Sequence, residues 1–386
     1  MINKITDNKF FIAVMIFFLI VPAGMQMSIE KILPMTPIRF FFYFIILLKS
    51  IPYYLKNKKI SIMTIVSIIY CFGRFIVTYI NSRNFLLSFT SYALFTIVIL
   101  SIYIETNVQT NYKNIFNGLM IYCETITYIN LLSFYIPSLS KLFYVGHIFQ
   151  NDNNHFVYYA LGLTISSIFY YINKDKISLI RLIILWTIIV ISTIKAWSAT
   201  CVVAIFVFFI VLLLSLKLKI CNIVTYIATY LASFIGIVMF NVQYLFSFII
   251  VDILHKDPTL TLRTYVWDHY KNVIAKSPII GYGYNAIDLY DERQKKSLYA
   301  HNHVLQEIYN GGIIMYLVYI WFVILPAIKL WKNRDNKLSK VLSAIIFSIL
   351  VHGLCESLST VIYAFIFCLI YYVDFYINIR KGNNNE

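Results

Sequence analysis

Charge is scarce in this chain. Of 386 residues only 13% are Asp, Glu, Lys or Arg, about half the roughly 25% of an ordinary soluble domain. So few charges cannot cover a core with a polar surface. With 60% hydrophobic residues, 18% of the chain aromatic and a mean hydropathy of +0.75, lipid must serve as part of the solvent. Acids are the rarer charge: 17 against 32 Lys and Arg, a formal net charge of +15. The basic residues cluster in short loops between apolar runs, a membrane-topology signal rather than a nucleic-acid footprint.

Paired cysteines are missing. Cys71, Cys123, Cys201, Cys221, Cys355 and Cys368 all sit inside apolar runs and none belongs to a Cys-x-x-Cys pair, which supports neither a zinc site nor a disulfide framework. A glycine-rich nucleotide cradle is missing too: no Walker motif and no G-x-G-x-x-G follows a candidate strand. That argues against ATP hydrolysis, so an already activated substrate must supply the energy. There is no internal repeat and no low-complexity linker.

What remains is a succession of apolar runs. A span needs about 20 apolar residues. By that rule helices are predicted near 10–29, 38–55, 60–80, 84–104, 114–136, 155–172, 177–194, 198–216, 220–250, 306–330, 338–354 and 358–378. The opening MINKITDNK and the run to about Val21 predict a retained first helix without a cleavage site. The fold class is therefore all-α: a polytopic integral membrane protein of about twelve transmembrane helices with one large extracytoplasmic loop. Helices one to nine fill 1–251, the loop fills 252–305, and three helices and a tail fill 306–386. Loops carrying Lys56, Lys58 and Lys59, Lys174, Lys176 and Arg181, Lys217 and Lys219, and Lys329 to Lys340 lie on one side with the termini. The positive-inside rule makes that side cytoplasmic and sets all seven histidines on or near the outer face.

The long polar interval, Thr261 to Gly312, organises the rest. Thr261 caps a predicted helix from about Leu262 to Ala275, in which Arg263 and Trp267 share a face; such a helix suits the bilayer surface, with Arg263 near the headgroups. Pro278 ends it, and Gly281 and Gly283 allow a tight turn. Asp288 to Ser297 reads as an exposed charged loop. Then Ala300-His301-Asn302-His303 leads into the apolar run from Ile308. An imidazole where water meets a helix top suits a general base, and an Arg fork suits a leaving phosphate. The plainer alternatives are an interfacial His301 bonded to backbone and a snorkelling Arg263. His301 and His303 stand at i, i+2 with no third ligand at spacing, which disfavours a metal site.

Arg263-x-x-x-Trp267, then SPIIGYG from Ser277 to Gly283, then HNHVLQEIYNGG from His301 to Gly312 together resemble the signature of the O-antigen polymerase and ligase superfamily. The resemblance covers about Arg263 to Tyr319. It implies an enzyme acting at the external face on undecaprenyl-diphosphate-linked glycans, with no cofactor and no required metal. It implies catalytic roles for Arg263 and His301, with Asn302 and His303 beside them at the substrate. Asn310 departs from the family, which often has Glu before the glycine. NDNNHFVYYALGL from Asn151 resembles the start of a mid-chain family helix, and Lys195 in IKAWSAT stands where the family often has a Ser-Arg pair. Arg74, Glu124 and Glu356 fall in predicted spans, where charges face the interior and pair with one another or with substrate; Arg74 and Glu356 are counted as substrate-binding. His352 and Glu356 are four apart, on one predicted helix face.

The implied function is a polysaccharide polymerase for O-antigen or capsule in the bacterial inner membrane, with both termini cytoplasmic. Its partners would be lipid-linked donor and acceptor oligosaccharides, membrane lipids and a chain-length regulator, and no nucleic acid. The alternatives are a ligase with lipid A core as acceptor and, from another class, a lipid-linked oligosaccharide flippase.

Overall fold

The computed structural model describes residues 6–84, 92–143, 146–149, 153, 155–248, 251, 257, 263–283, 289–291, 296–357 and 359–383. Its helices are α1 (Lys9–Leu19), α2 (Ala23–Ile29), α3 (Met35–Asn57), α4 (Ile62–Ser82), α5 (Tyr92–Ser133), α6 (His155–Asn173), α7 (Lys176–Ala196), α8 (Ala199–Lys217), α9 (Ile223–Ser233), α10 (Arg263–Ile274), α11 (His303–Lys332), α12 (Lys337–Cys355), α13 (Thr360–Tyr371) and α14 (Val373–Asn383). The predicted loop at Asp288 to Ser297 instead contains a small antiparallel ribbon, Leu289–Asp291 with Lys296–Leu298. Thr261 and His255 lie outside the described residues.

The protein is an all-α polytopic membrane bundle. Nine helices among the described residues are long and apolar enough to cross a bilayer; this count departs from the predicted spans at three places, each with a local cause. The run at 10–29 is cut at Pro22, which precedes α2 and has no N–H to donate. The run at 220–250 leaves α geometry after Ser233, passing into a π turn at Phe234–Met239 and a 3-10 turn at Val242–Phe246. The predicted pair at 84–104 and 114–136 corresponds to two helical limbs, labelled together as α5, that meet at a non-helical Asn111 (φ −135°, ψ 25°) in the gap between the two predicted spans. The bend returns the chain on itself. Thr96 in the first limb bonds Tyr43 near the start of α3, and Asn130 in the second bonds Tyr159 near the start of α6. Near the bend, Glu105 accepts from Ser61 and Phe116 packs on Tyr376, at the opposite end of the bundle.

Polar N-caps start the helices cleanly: Asn8, Ser61, Asp175, Ser198, Asn302 and Asn336 each accept a backbone N–H in the first turn. α6 is the central post, with 17 of its 19 residues buried. In α3, α7 and α8 only 28–33% of the most apolar window is buried, so these helices present most of their aliphatic surface outward, where lipid is the solvent that suits it.

Candidate active site at a junction of helix ends

Arg263 opens α10, whose buried face is Thr264, Val266, Trp267, Tyr270 and Val273. Trp267 and Tyr270 are fully buried, so α10 is docked on the bundle rather than lying free on a surface. A cation in the first turn opposes the positive end of the helix dipole and calls for a carboxylate. Glu356 supplies it, forming an ion pair with the Arg263 guanidinium. Glu356 is not on the helix face predicted with His352: α12 ends at Cys355 and Glu356 is its extended C-cap (φ −140°, ψ 145°).

The same carboxylate faces His301, Nδ1 to Oε2 at 3.5 Å, and accepts a bond from Asn153 Nδ2 at 2.7 Å. Asn153 is itself held at both ends: Ser198 Oγ donates to its side-chain oxygen at 2.6 Å, and His352 Nε2 lies 3.0 Å from its carbonyl. Five helix ends therefore meet here: the N-termini of α6, α8, α10 and α11 and the C-terminus of α12. Four converging N-termini plus Arg263 favour an anion at this junction, with Glu356 as the counterweight that keeps the unloaded site tolerable.

His301 is the most exposed of the three, its side chain 34% accessible against 20% for Arg263 and 8% for Glu356. Its backbone is left-handed (φ 46°), a conformation uncommon outside glycine. Two neighbours hold it there. Trp267 Nε1 donates to the His301 carbonyl at 3.3 Å. Asn302 accepts from Leu305 N at 3.0 Å and donates to Leu354 O at 2.9 Å, which fixes the start of α11 against α12.

Arg74 and His303 belong to a second, deeper cluster. Arg74 pairs with Glu307 at 3.7 Å, both side chains at most 3% exposed, and Tyr70 and Thr360 donate to the Glu307 carboxylate at 2.7 and 3.1 Å. His303 packs edge-on to Tyr319, and its buried Nε2 has no hydrogen-bond partner where it lines an apolar cavity of about 240 Å3. Lys195, at the end of α7, is exposed and sits over the Tyr135 ring at 4.9 Å. The charges predicted inside the bundle do not pair with one another: Glu124 takes Arg181 in a two-pronged bond of 2.8 and 2.6 Å, Arg74 takes Glu307 and Glu356 takes Arg263. Glu307 and Asn153 escaped the residue-by-residue reading. A carboxylate inside an apolar helix, demanding a buried partner, was the signal for Glu307.

The two glycine-bearing motifs form one joint. α11 breaks at Gly312 (φ 66°, ψ 179°), which turns Ile313 N to Pro278 O at 2.9 Å and strands the carbonyls of Tyr309 and Asn310. Tyr282 N and Gly283 N then satisfy those carbonyls, each at 2.8 Å. Irregular backbone in an apolar setting is tolerated only when sealed in this way. A Cβ on Gly281 would stand 2.5 Å from Gly312 N, and one on Gly312 would fall on the Ile279 carbonyl. The SPIIGYG turn thus clips α10 to α11 and sets Arg263 against His301.

Fold and junction together define a multi-pass membrane protein with a basic, histidine-bearing site at one end of its bundle. Residues 177–320 match the family model described as O-antigen ligase. That match supports placing the chain in the O-antigen polymerase and ligase superfamily of membrane glycosyltransferase-like enzymes, and indicates a ligase- or polymerase-type function in polysaccharide biosynthesis. It takes in Lys195, Arg263 and His301, while Glu356, which joins the last two, lies beyond it. No curated protein matches the chain.

Proposed function

We propose that the protein is a polysaccharide polymerase of the O-antigen or capsule kind. The observation that carries this reading is the meeting of Arg263 and His301 at the one carboxylate of Glu356. Glu356 holds Nδ1 of His301, which leaves Nε2 as the base. Nε2 takes the proton of a sugar hydroxyl on the acceptor, a lipid-linked repeat unit. The hydroxyl oxygen bonds to the anomeric carbon of the donor glycan as that carbon's bond to the diphosphate oxygen breaks. The electron pair leaves with undecaprenyl diphosphate, whose charge is met by Arg263 and the converging helix N-termini. The imidazolium then returns its proton to water or to the departing diphosphate.

The Lys- and Arg-rich loops at the other end support an orientation in which the junction faces outward from a bacterial inner membrane and both termini are cytoplasmic. The apolar cavity beside His303 suits part of the polyprenyl chain. A site at helix ends rather than at mid-depth favours transfer over transport.

The test is reconstitution of purified protein with a defined lipid-linked repeat unit. Wild type should give a ladder of products and His301→Ala single units only. A full-length ladder from His301→Ala overturns the reading. With lipid A core added as a second acceptor, attachment of glycan to it with no ladder would make the protein a ligase.

A further inference from the structure

A second polar cavity, of about 200 Å3, is lined by Gln26 of α2, Arg39 of α3, Thr96 of α5, Tyr158 of α6, and Ser359 and Val361 at the start of α13. Arg39 is only 8% exposed. Its Nε donates to the carbonyl of Phe18 at 3.1 Å. Among the described residues its two terminal amino groups have no hydrogen-bond partner, and no carboxylate lies at ion-pair distance. Every other buried or half-buried Arg of the bundle considered above has its acid: Arg74 has Glu307, Arg181 has Glu124 and Arg263 has Glu356. A largely buried cation whose amino groups open into a cavity, with no acid beside it among the described residues, favours a counter-charge bound in that cavity.

The walls are rich in donors. The Tyr158 hydroxyl accepts from Ala23 N at 3.2 Å, which leaves its own proton to give. Thr96 adds a hydroxyl to the wall, bonded to that of Tyr43 at 2.6 Å. Gln26 spends one amide N–H on Glu30 at 2.8 Å and keeps a second, along with its carbonyl. Ser359 makes no capping bond to α13. In that 12-residue helix the first N–H taken by an i−4 carbonyl is that of Tyr363, by Ser359 O. The N–H groups of Thr360, Val361 and Ile362 precede it, at the positive end of the dipole. A bidentate guanidinium, an uncapped helix N-terminus and several hydroxyls form the donor set that tetrahedral oxyanions take.

We propose that this cavity is a binding site for a phosphate group, sharing no lining residue with the Arg263–His301 junction. The source is either the head of a membrane phospholipid or soluble phosphate. The proposal does not depend on the transfer reaction.

The test is titration calorimetry on the full chain in neutral detergent, with inorganic phosphate in one arm and short-chain phosphatidylglycerol in the other. At least one should bind saturably, weakened roughly tenfold or more by Arg39→Gln and less by Arg39→Lys, while Arg263→Gln leaves this binding in place. Phosphate binding identifies a soluble ligand and lipid binding a headgroup; either supports the site. In the absence of ligand Arg39→Gln should melt no lower than wild type, because it removes an uncompensated buried charge. Saturable binding of neither probe, or affinity indifferent to Arg39→Gln, overturns the proposal.

Discussion

His301 Nδ1 lies 3.5 Å from Oε2 of Glu356, a residue 55 positions further along the chain. The pairing gives the imidazole a defined tautomer and leaves its other nitrogen toward the exposed side. A carboxylate behind a base also stabilises the imidazolium that forms as the base takes a proton. Because Glu356 holds Arg263 as well, one side chain positions both the base and the cation.

Glu356→Gln keeps the shape and removes the charge. The expected loss is about 10²–10⁴ in turnover, read as product formation in reconstituted vesicles. Combining it with His301→Ala should cost little more than His301→Ala alone, because the two act as a unit. Additive losses would show that Glu356 does not work through the imidazole.

The glycine joint makes a steric prediction. Gly281→Ala and Gly312→Ala each require a side chain at positive φ against backbone atoms. Each should cost at least about 2 kcal/mol, measured as a lower unfolding temperature in detergent. Gly236→Ala, where the nearest atom to a new Cβ is at 3.8 Å, should be close to neutral.

Arg74 and Glu307 are buried together, so removing one leaves the other uncompensated. Glu307→Ala is expected to destabilise by about 3–5 kcal/mol. Arg74→Met with Glu307→Gln should cost less than the sum of the two single changes, by a double-mutant cycle on denaturant unfolding.

Asn302 carries two bonds, one capping α11 and one reaching α12. Asn302→Ala should lose about 1–2 kcal/mol, while Asn302→Asp keeps the capping acceptor and recovers part of it. His301→Ala should leave the unfolding temperature near wild type, so melting curves separate the anchoring residue from the chemical one.

Hydropathy alone determined that this is a helical membrane bundle, because roughly 20 apolar residues in succession can satisfy their backbone within lipid only as a helix. The Arg263, Ser277–Gly283 and His301–Gly312 pieces were legible together through their resemblance to a family signature, and the fold brings Arg263 and His301 to one carboxylate. Span count was read less well: Pro22 and the turns after Ser233 are local breaks that mean hydropathy averages away, whereas the break at Asn111 fell in the gap between two predicted spans. Tertiary structure alone decided the partners. Glu356 looked like a helix-face companion of His352, yet α12 stops one residue short of it and swings its carboxylate to Arg263 and His301. Nor could spacing show that Gly281 is small because Gly312 lies against it. Sequence periodicity reports which face of a helix is buried; which charge meets which across the bundle depends on how separate helices are packed.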